Sequence, residues 1–213
     1  MEEVIKLQNL SDKRDKWVIP GAPNGEFSTG WFRDCNECFK TMGQVQQNYW
    51  NKWVPKKSNI FIWRLIRERI PTRRKLVDMG IDIPCTLCPI CEKKEEDMSH
   101  LFFDCDLSTQ LWSKLGVWWT VQIPSFSMGE DLLSWSWFSM KNRKDGVNLQ
   151  IAIMATLTTI WKARNGVIFE KKKVEADREF RNAQELAFFW LNSRNSKFTM
   201  KLCNWISNPK TLM

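Results

Sequence analysis

The chain has 213 residues but only one histidine and one tyrosine, against thirteen tryptophans and thirteen phenylalanines. It contains no apolar run that approaches the ~20 residues needed to span a membrane, and its first sixteen residues are mostly polar or charged. We therefore expect neither a membrane segment nor a secretory signal. A glycine-rich phosphate-binding loop is also absent, which argues against a nucleotide-hydrolysing enzyme. The expected protein is intracellular, where clustered thiols bind metal more often than they form disulfides.

Four of the seven cysteines and the only histidine fall within one stretch of 21 residues. A C-x-x-C pair closed by a histidine and a further cysteine supplies the four ligands of a tetrahedral zinc site. The stretch offers five candidate ligands, which are Cys85, Cys88, Cys91, His100 and Cys105. We favour the last four, because the Cys-Pro-Ile-Cys turn can direct both of its thiolates at one ion. Four protein ligands leave no position for water, so the predicted zinc ion is structural and not catalytic.

Two alternatives to this ligand set stay open. Cys85 could replace one of the four ligands, or some of the thiols could be buried as small hydrophobic side chains without a metal. The five-residue spacing between His100 and Cys105 is a further constraint, since residues that far apart do not share one face of an α-helix. Closing the site between these two residues therefore requires a local distortion of the chain.

Positive charge is concentrated in one segment, residues 56–75, which we call the basic island. It contains eight basic residues and one acidic residue, so it carries seven of the eight net positive charges of the chain. The basic residues are Lys56, Lys57, Arg64, Arg67, Arg69, Arg73, Arg74 and Lys75. Such a concentration predicts a polyanionic partner, most plausibly nucleic acid, RNA or DNA. The alternative is a solvated helix face without a partner.

Apolar spacing predicts a mostly helical α+β protein with one small β-hairpin near the N-terminus, at residues 15–28. Helices are expected at 60–70, 72–79, 99–112, 131–140, 147–169 and 176–191. Thr72 is placed to cap the second of these and Gly80 to end it. The helical core would contain one zinc-stabilised loop.

Four segments follow from this pattern. They are a polar tail (1–13), the hairpin with a helix (14–54), a zinc-binding domain (55–115) and a C-terminal helical region (116–213).

Several motifs together resemble a known family. The central ones read PKKSNIFIWRL at 55–65, RIPT at 69–72, CPIC at 88–91 and HLFFDC at 100–105, followed by Trp112. They are similar to the zinc-binding domain of plant reverse transcriptases, which lies downstream of the polymerase in non-LTR, long interspersed retrotransposons. Flanking similarity is found at Lys16-Trp17, at GEFS in 25–28, at IWKARN in 160–165 and at Phe169. The chain departs from the family pattern in two places, in the loosely matching Glu95-Glu96-Asp97 before the histidine and in the additional Cys85.

The resemblance implies an accessory domain that is associated with nucleic acid and is not an enzyme. The paired-carboxylate hairpin of a polymerase, of the Tyr-x-Asp-Asp type, does not occur in the sequence. Implied partners are nucleic acid and the reverse transcriptase domain of the parent element, with no membrane. Short basic runs at 73–75 and 171–173 would suit a nuclear protein, although such runs are common by chance. The alternative function is a structural or protein-interaction module, or a truncated remnant that does not bind nucleic acid.

Overall fold

A computed structural model of the protein describes Ser28, residues 50–126 and residues 129–210, and this part of the chain is mostly helical. The helices are α1 (Lys56–Ile66), α2 (Arg73–Asp78), a π-helical turn (His100–Asp104), α3 (Asp106–Trp119), α4 (Gly129–Phe138), α5 (Arg143–Glu170), α6 (Ala176–Arg194) and α7 (Leu202–Ser207). Within the described residues there is no sheet, only an isolated antiparallel bridge between Leu87 and Glu95. The prediction of a mostly helical protein is confirmed. Apart from Ser28, the predicted hairpin lies outside the described residues.

Helix α5 is the centre of the packing. Its residues from Asn148 to Ile160 are all buried, and helices α1, α3, α4 and α6 pack against it. Two threonines in this buried stretch satisfy their hydroxyl groups within the helix, because Thr156 donates to the Ala152 carbonyl at 2.9 Å and Thr158 to the Met154 carbonyl at 2.7 Å. These two hydroxyl groups are therefore satisfied inside the core by the helix itself.

Aromatic rings join the C-terminal helix α7 to α3 and α6. Trp205 of α7 packs edge to face against Trp118, at a centroid distance of 5.1 Å, and against Trp119 at 6.1 Å. Its indole N–H donates to the Gln184 carbonyl of α6 at 2.9 Å. Helix α7 was not predicted from the sequence, because six residues are too few to show a helical period. Burial of one tryptophan holds it in place.

Two helix boundaries near the basic island are set by left-handed residues. Helix α1 ends at Ile66, four residues before the predicted end, because Glu68 adopts a φ of +51° and closes a Schellman motif. In that motif the Arg69 N–H donates to the Arg64 carbonyl at 2.8 Å. Gly80 ends α2 in the same way, with a φ of +78°, as predicted. Pro71 thus follows a helix that has already ended.

Thr72 caps α2, since its side chain accepts from the Lys75 N–H at 3.4 Å, and this prediction is also confirmed. The single helix expected at 99–112 is instead two elements, because Cys105 has an extended backbone (φ −64°, ψ 145°) that ends the π-helical turn and begins α3.

The described residues from 50 onward belong to one unit, residues 49–213. Helix α3 runs through residue 115, where a boundary was expected, while the four-segment division itself stays a prediction. None of the described helices is long and apolar enough to cross a bilayer.

Candidate metal centre and basic face

The first half of the candidate metal centre is a tight loop that presents Cys88 and Cys91. The Cys88 N–H donates to the Lys94 carbonyl at 2.7 Å, and the Glu92 N–H donates back to the Cys88 carbonyl at 2.8 Å. Glu92 has a φ of +55°, so the chain reverses directly after Cys91. These bonds fold the Cys-Pro-Ile-Cys turn so that both sulfurs lie on one side of it.

The second half of the centre is the π-helical turn, which presents His100 and Cys105. The Cys105 N–H donates to the His100 carbonyl at 2.7 Å, which is the i to i+5 bond that defines a π-helix. Asp97 fixes the start of this turn, because its carboxylate accepts from the His100 N–H at 2.7 Å. The distortion expected from the five-residue spacing is therefore one π-helical turn, which places residues i and i+5 at one site.

The four predicted ligands lie together. Their ligand atoms, from Cys88, Cys91, His100 and Cys105, are all within 4.8 Å of one another. The Cys88 and Cys105 sulfurs are 3.8 Å apart, and the Cys91 sulfur is 3.2 Å from His100 Nε2. With Zn–S of ~2.3 Å and Zn–N of ~2.0 Å, a tetrahedral site has S···S edges of about 3.8 Å and S···N edges of about 3.5 Å. These two distances are close to tetrahedral edges, and the four residues form a group that could hold one metal ion.

The surroundings of these ligands fit a metal ion as well as the distances do. Cys88, Cys105 and His100 are buried and Cys91 is partly buried. Nε2 of His100 faces the Cys91 sulfur, while its Nδ1 is buried without a hydrogen-bond partner among the described residues. Three thiolates with one imidazole form a donor set that zinc prefers. Cys85 is exposed and lies outside the group.

The two buried sulfurs, those of Cys88 and Cys105, lie within hydrogen-bond distance of each other at 3.8 Å. The hydrogen bond from Cys105 lowers the pKa of the Cys88 thiol to about 5, helped by the backbone N–H groups of Cys91 and Ile90 and opposed by burial. The same bond, together with burial, raises the pKa of the Cys105 thiol far above its ordinary value. A bound cation would displace the remaining thiol protons, since cysteine ligates a metal as the thiolate.

A buried ion pair connects α5 to the loop that carries Cys88 and Cys91, which we call the metal loop (residues 84–97). Arg164 donates from Nε and Nη2 to the two carboxylate oxygens of Glu96, at 2.6 and 2.9 Å. The side chains of Arg164 and Glu96 are only 6% and 0% exposed. Glu96 also accepts from the backbone N–H of Arg73 at 3.1 Å, so one carboxylate joins α2, the metal loop and α5. The Arg164 guanidinium lies over the Trp161 ring, 4.8 Å from its centroid.

The structure divides the basic island into two groups. Arg73 and Arg74 hold the metal loop: Arg73 donates to the Leu87 carbonyl at 2.7 Å, and Arg74 pairs with Glu95 at 3.1 Å and with Asp78 at 3.3 Å. The guanidinium groups of Arg73 and Arg74 are therefore already partly occupied by hydrogen bonds and ion pairs within the protein. Lys75 accompanies them on α2 and is half-buried.

The remaining basic residues of the island form what we call the basic face of α1. Exposed residues on this side of the helix are Lys56, Lys57, Ile60, Trp63 and Arg64, followed by Arg67 at the C-cap. On a helical projection at 100° per residue these six fall within about 120°, while Asn59, Ile62 and Leu65 are buried on the opposite side. Arg69 follows in the next turn, with its guanidinium 5.9 Å from the centre of the Trp63 ring.

Sequence reasoning did not identify three residues that the structure makes important. Glu96 and Arg164 are 68 positions apart, and no periodicity in a single sequence signals such a pair. Trp63 is the third, and its helical position next to Arg64 and Arg67 places it on the exposed side of α1. A helical projection of residues 56–67 would have found it.

Comparison with known families agrees with this geometry. Residues 31–112 match the family model described as zinc-binding in reverse transcriptase, and this match includes all four clustered ligands. No curated protein and no solved structure matches the chain. The matched family is a zinc-binding accessory domain and not the catalytic domain of a reverse transcriptase.

Proposed function

We propose that this chain, whose residues 31–112 match a family model described as zinc-binding in reverse transcriptase, is a non-catalytic accessory module that binds nucleic acid. One observation carries the proposal, which is the basic face of α1. Four cationic side chains share one side of a helix of which no residue is acidic. Phosphate groups are the natural partner of such a surface.

The zinc ion has a structural role in this proposal. Cys88, Cys91, His100 and Cys105 would hold it, and it would crosslink the metal loop to the π-helical turn. The loop is in turn joined to α2 and α5 through Glu96. Zinc would thereby stabilise the metal loop and its contacts with α2 and α5, the helix against which α1 packs. It would take no part in a reaction. Location in the nucleus, next to the polymerase of a retroelement, is part of the same proposal.

The proposal is tested by neutralising the basic face while leaving the metal loop untouched. Arg73 and Arg74 are unsuitable positions, because changing them would disturb the loop as well as the charge. The test variant is Lys57→Gln/Arg64→Gln/Arg67→Gln. A matched control with the same change in charge is Lys141→Gln/Lys197→Gln/Lys201→Gln, at exposed positions outside the island.

Binding of the zinc-loaded proteins to labelled RNA and DNA is measured by fluorescence anisotropy across salt concentrations. Each lost phosphate contact should lower the slope of log K against log salt by ~0.9 on duplex DNA or ~0.7 on a single strand. The test variant should therefore lose slope and affinity while the control keeps both. Equal behaviour of the two variants would refute the role of the basic face. Absence of binding by the folded, metal-loaded wild type would favour the alternative, a protein-interaction module.

A further inference from the structure

The basic face of α1 contains two large apolar side chains that the fold leaves in solvent. Trp63 is 49% exposed and Ile60 is 46% exposed, between the cationic positions Arg64 and Lys56. A tryptophan stabilises a protein mainly when its ring is buried. The half-exposed ring of Trp63 therefore contributes little to folding, and a helix face that only contacts solvent would not require it. The indole ring is therefore available to a ligand at one edge of the basic face, where Lys56 and Arg67 are the nearest cationic positions on the helical projection.

The ring of Trp63 is also oriented by a neighbouring cation. The guanidinium of Arg69, in the turn after α1, lies 5.9 Å from the ring centre, within the range of a cation–π contact. Proteins that bind single-stranded nucleic acid combine cationic and aromatic side chains in this way. Their aromatic rings stack on the bases, and their cations contact the phosphates. Duplex DNA cannot use such a ring in the same way, because the faces of its bases are already stacked on each other.

A second aromatic and basic pair is held beside the start of α1. The side-chain amide of Asn59 donates to the carbonyls of Asn51 and Val54 at 2.9 and 2.8 Å, which fixes the segment between them against the helix. In that segment the Lys52 ammonium lies 4.5 Å from the centre of the Trp53 ring. The pattern of a cation over an indole is thus repeated at both ends of a helix that is ~16 Å long.

From these observations we infer that the basic face of α1 binds single-stranded nucleic acid in preference to duplex, with Trp63 as the platform on which an unpaired base stacks. Lys56, Arg64 and Arg67 contact phosphates on either side of that base. This inference rests on the proposed function and narrows its ligand to a polynucleotide with unstacked bases.

The test compares Trp63→Ala and Trp63→Phe with Phe189→Ala, which removes an even more exposed aromatic ring (64% exposed) from α6, outside the basic face. Each zinc-loaded protein is titrated with a labelled single-stranded RNA, the same sequence as single-stranded DNA, a duplex, and a single strand with abasic sites throughout its centre. Thermal melting establishes that the variants are folded, and the two single strands show which sugar is preferred.

Loss of one stacking contact corresponds to about a 5-fold to 150-fold weaker affinity. Trp63→Ala should show this loss on the single strands and less than about a twofold change on duplex and abasic strands, whereas Trp63→Phe and Phe189→Ala should bind nearly as the wild type. Equal losses on all four ligands, or no loss on single strands, would overturn the stacking role. If the wild type binds none of the four ligands, the proposed function itself is refuted. If the wild type binds and Trp63→Ala binds equally well, only the stacking role is refuted.

Discussion

Replacing Arg164 by methionine should destabilise the protein strongly, because it leaves the carboxylate of Glu96 buried without its partner. Glu96 is fully buried, and the pair forms two hydrogen bonds, at 2.6 and 2.9 Å. Removing one member of such a pair costs about 3–5 kcal/mol, a large part of the roughly 5–15 kcal/mol that stabilises a typical domain. Arg164→Lys should also be destabilising, since an ammonium group cannot make the two parallel bonds of a guanidinium.

The matched control for this change is Arg181→Met, at an exposed arginine of α6 that lies outside the metal loop. Exposed charged side chains contribute little to stability, so the control should unfold at nearly the same urea concentration as the wild type. Both free energies of unfolding are measured by urea denaturation of zinc-saturated protein. A cost below about 1 kcal/mol for Arg164→Met would refute the conclusion that this pair connects the metal loop to α5.

Three further predictions concern the metal site and the core. Cys88→Ser should abolish stoichiometric zinc binding, measured by metal analysis of purified protein, whereas Cys85→Ser should retain one ion, and equal zinc contents would contradict the ligand assignment. Removal of metal with a chelator should lower the thermal midpoint, and added zinc should restore it; an unchanged midpoint would mean that the four side chains hold no ion. Trp205→Ala should cost about 3–5 kcal/mol in urea denaturation, because it empties the aromatic cluster that holds α7, and a cost near zero would show that α7 does not contribute to the core.

Local rules predicted the parts of the fold that depend on neighbouring residues. The cap at Thr72, the left-handed Gly80 and the long helix α5 all follow from side-chain chemistry or period within a few turns. The grouping of cysteines with one histidine suggested a metal site because zinc ligation needs few residues with definite spacing.

Features that depend on distant parts of the chain were not predictable in the same way. Glu68 ends α1 in a left-handed conformation that non-glycine residues adopt only at a cost. The pairing of Glu96 with Arg164 depends on how α5 packs against the metal loop. The division of the basic island into loop-binding and exposed residues depends on the same packing, which charge counting along the sequence does not contain.

The most direct test of the central claim is the salt dependence of binding by the wild-type, zinc-loaded protein to a single-stranded RNA. The basic face offers Lys56, Lys57, Arg64 and Arg67, so about four neutralised phosphates should give a slope of log K against log salt near −3, at ~0.7 per contact. No binding at low salt, or a slope near zero, would contradict a nucleic-acid-binding function for this surface.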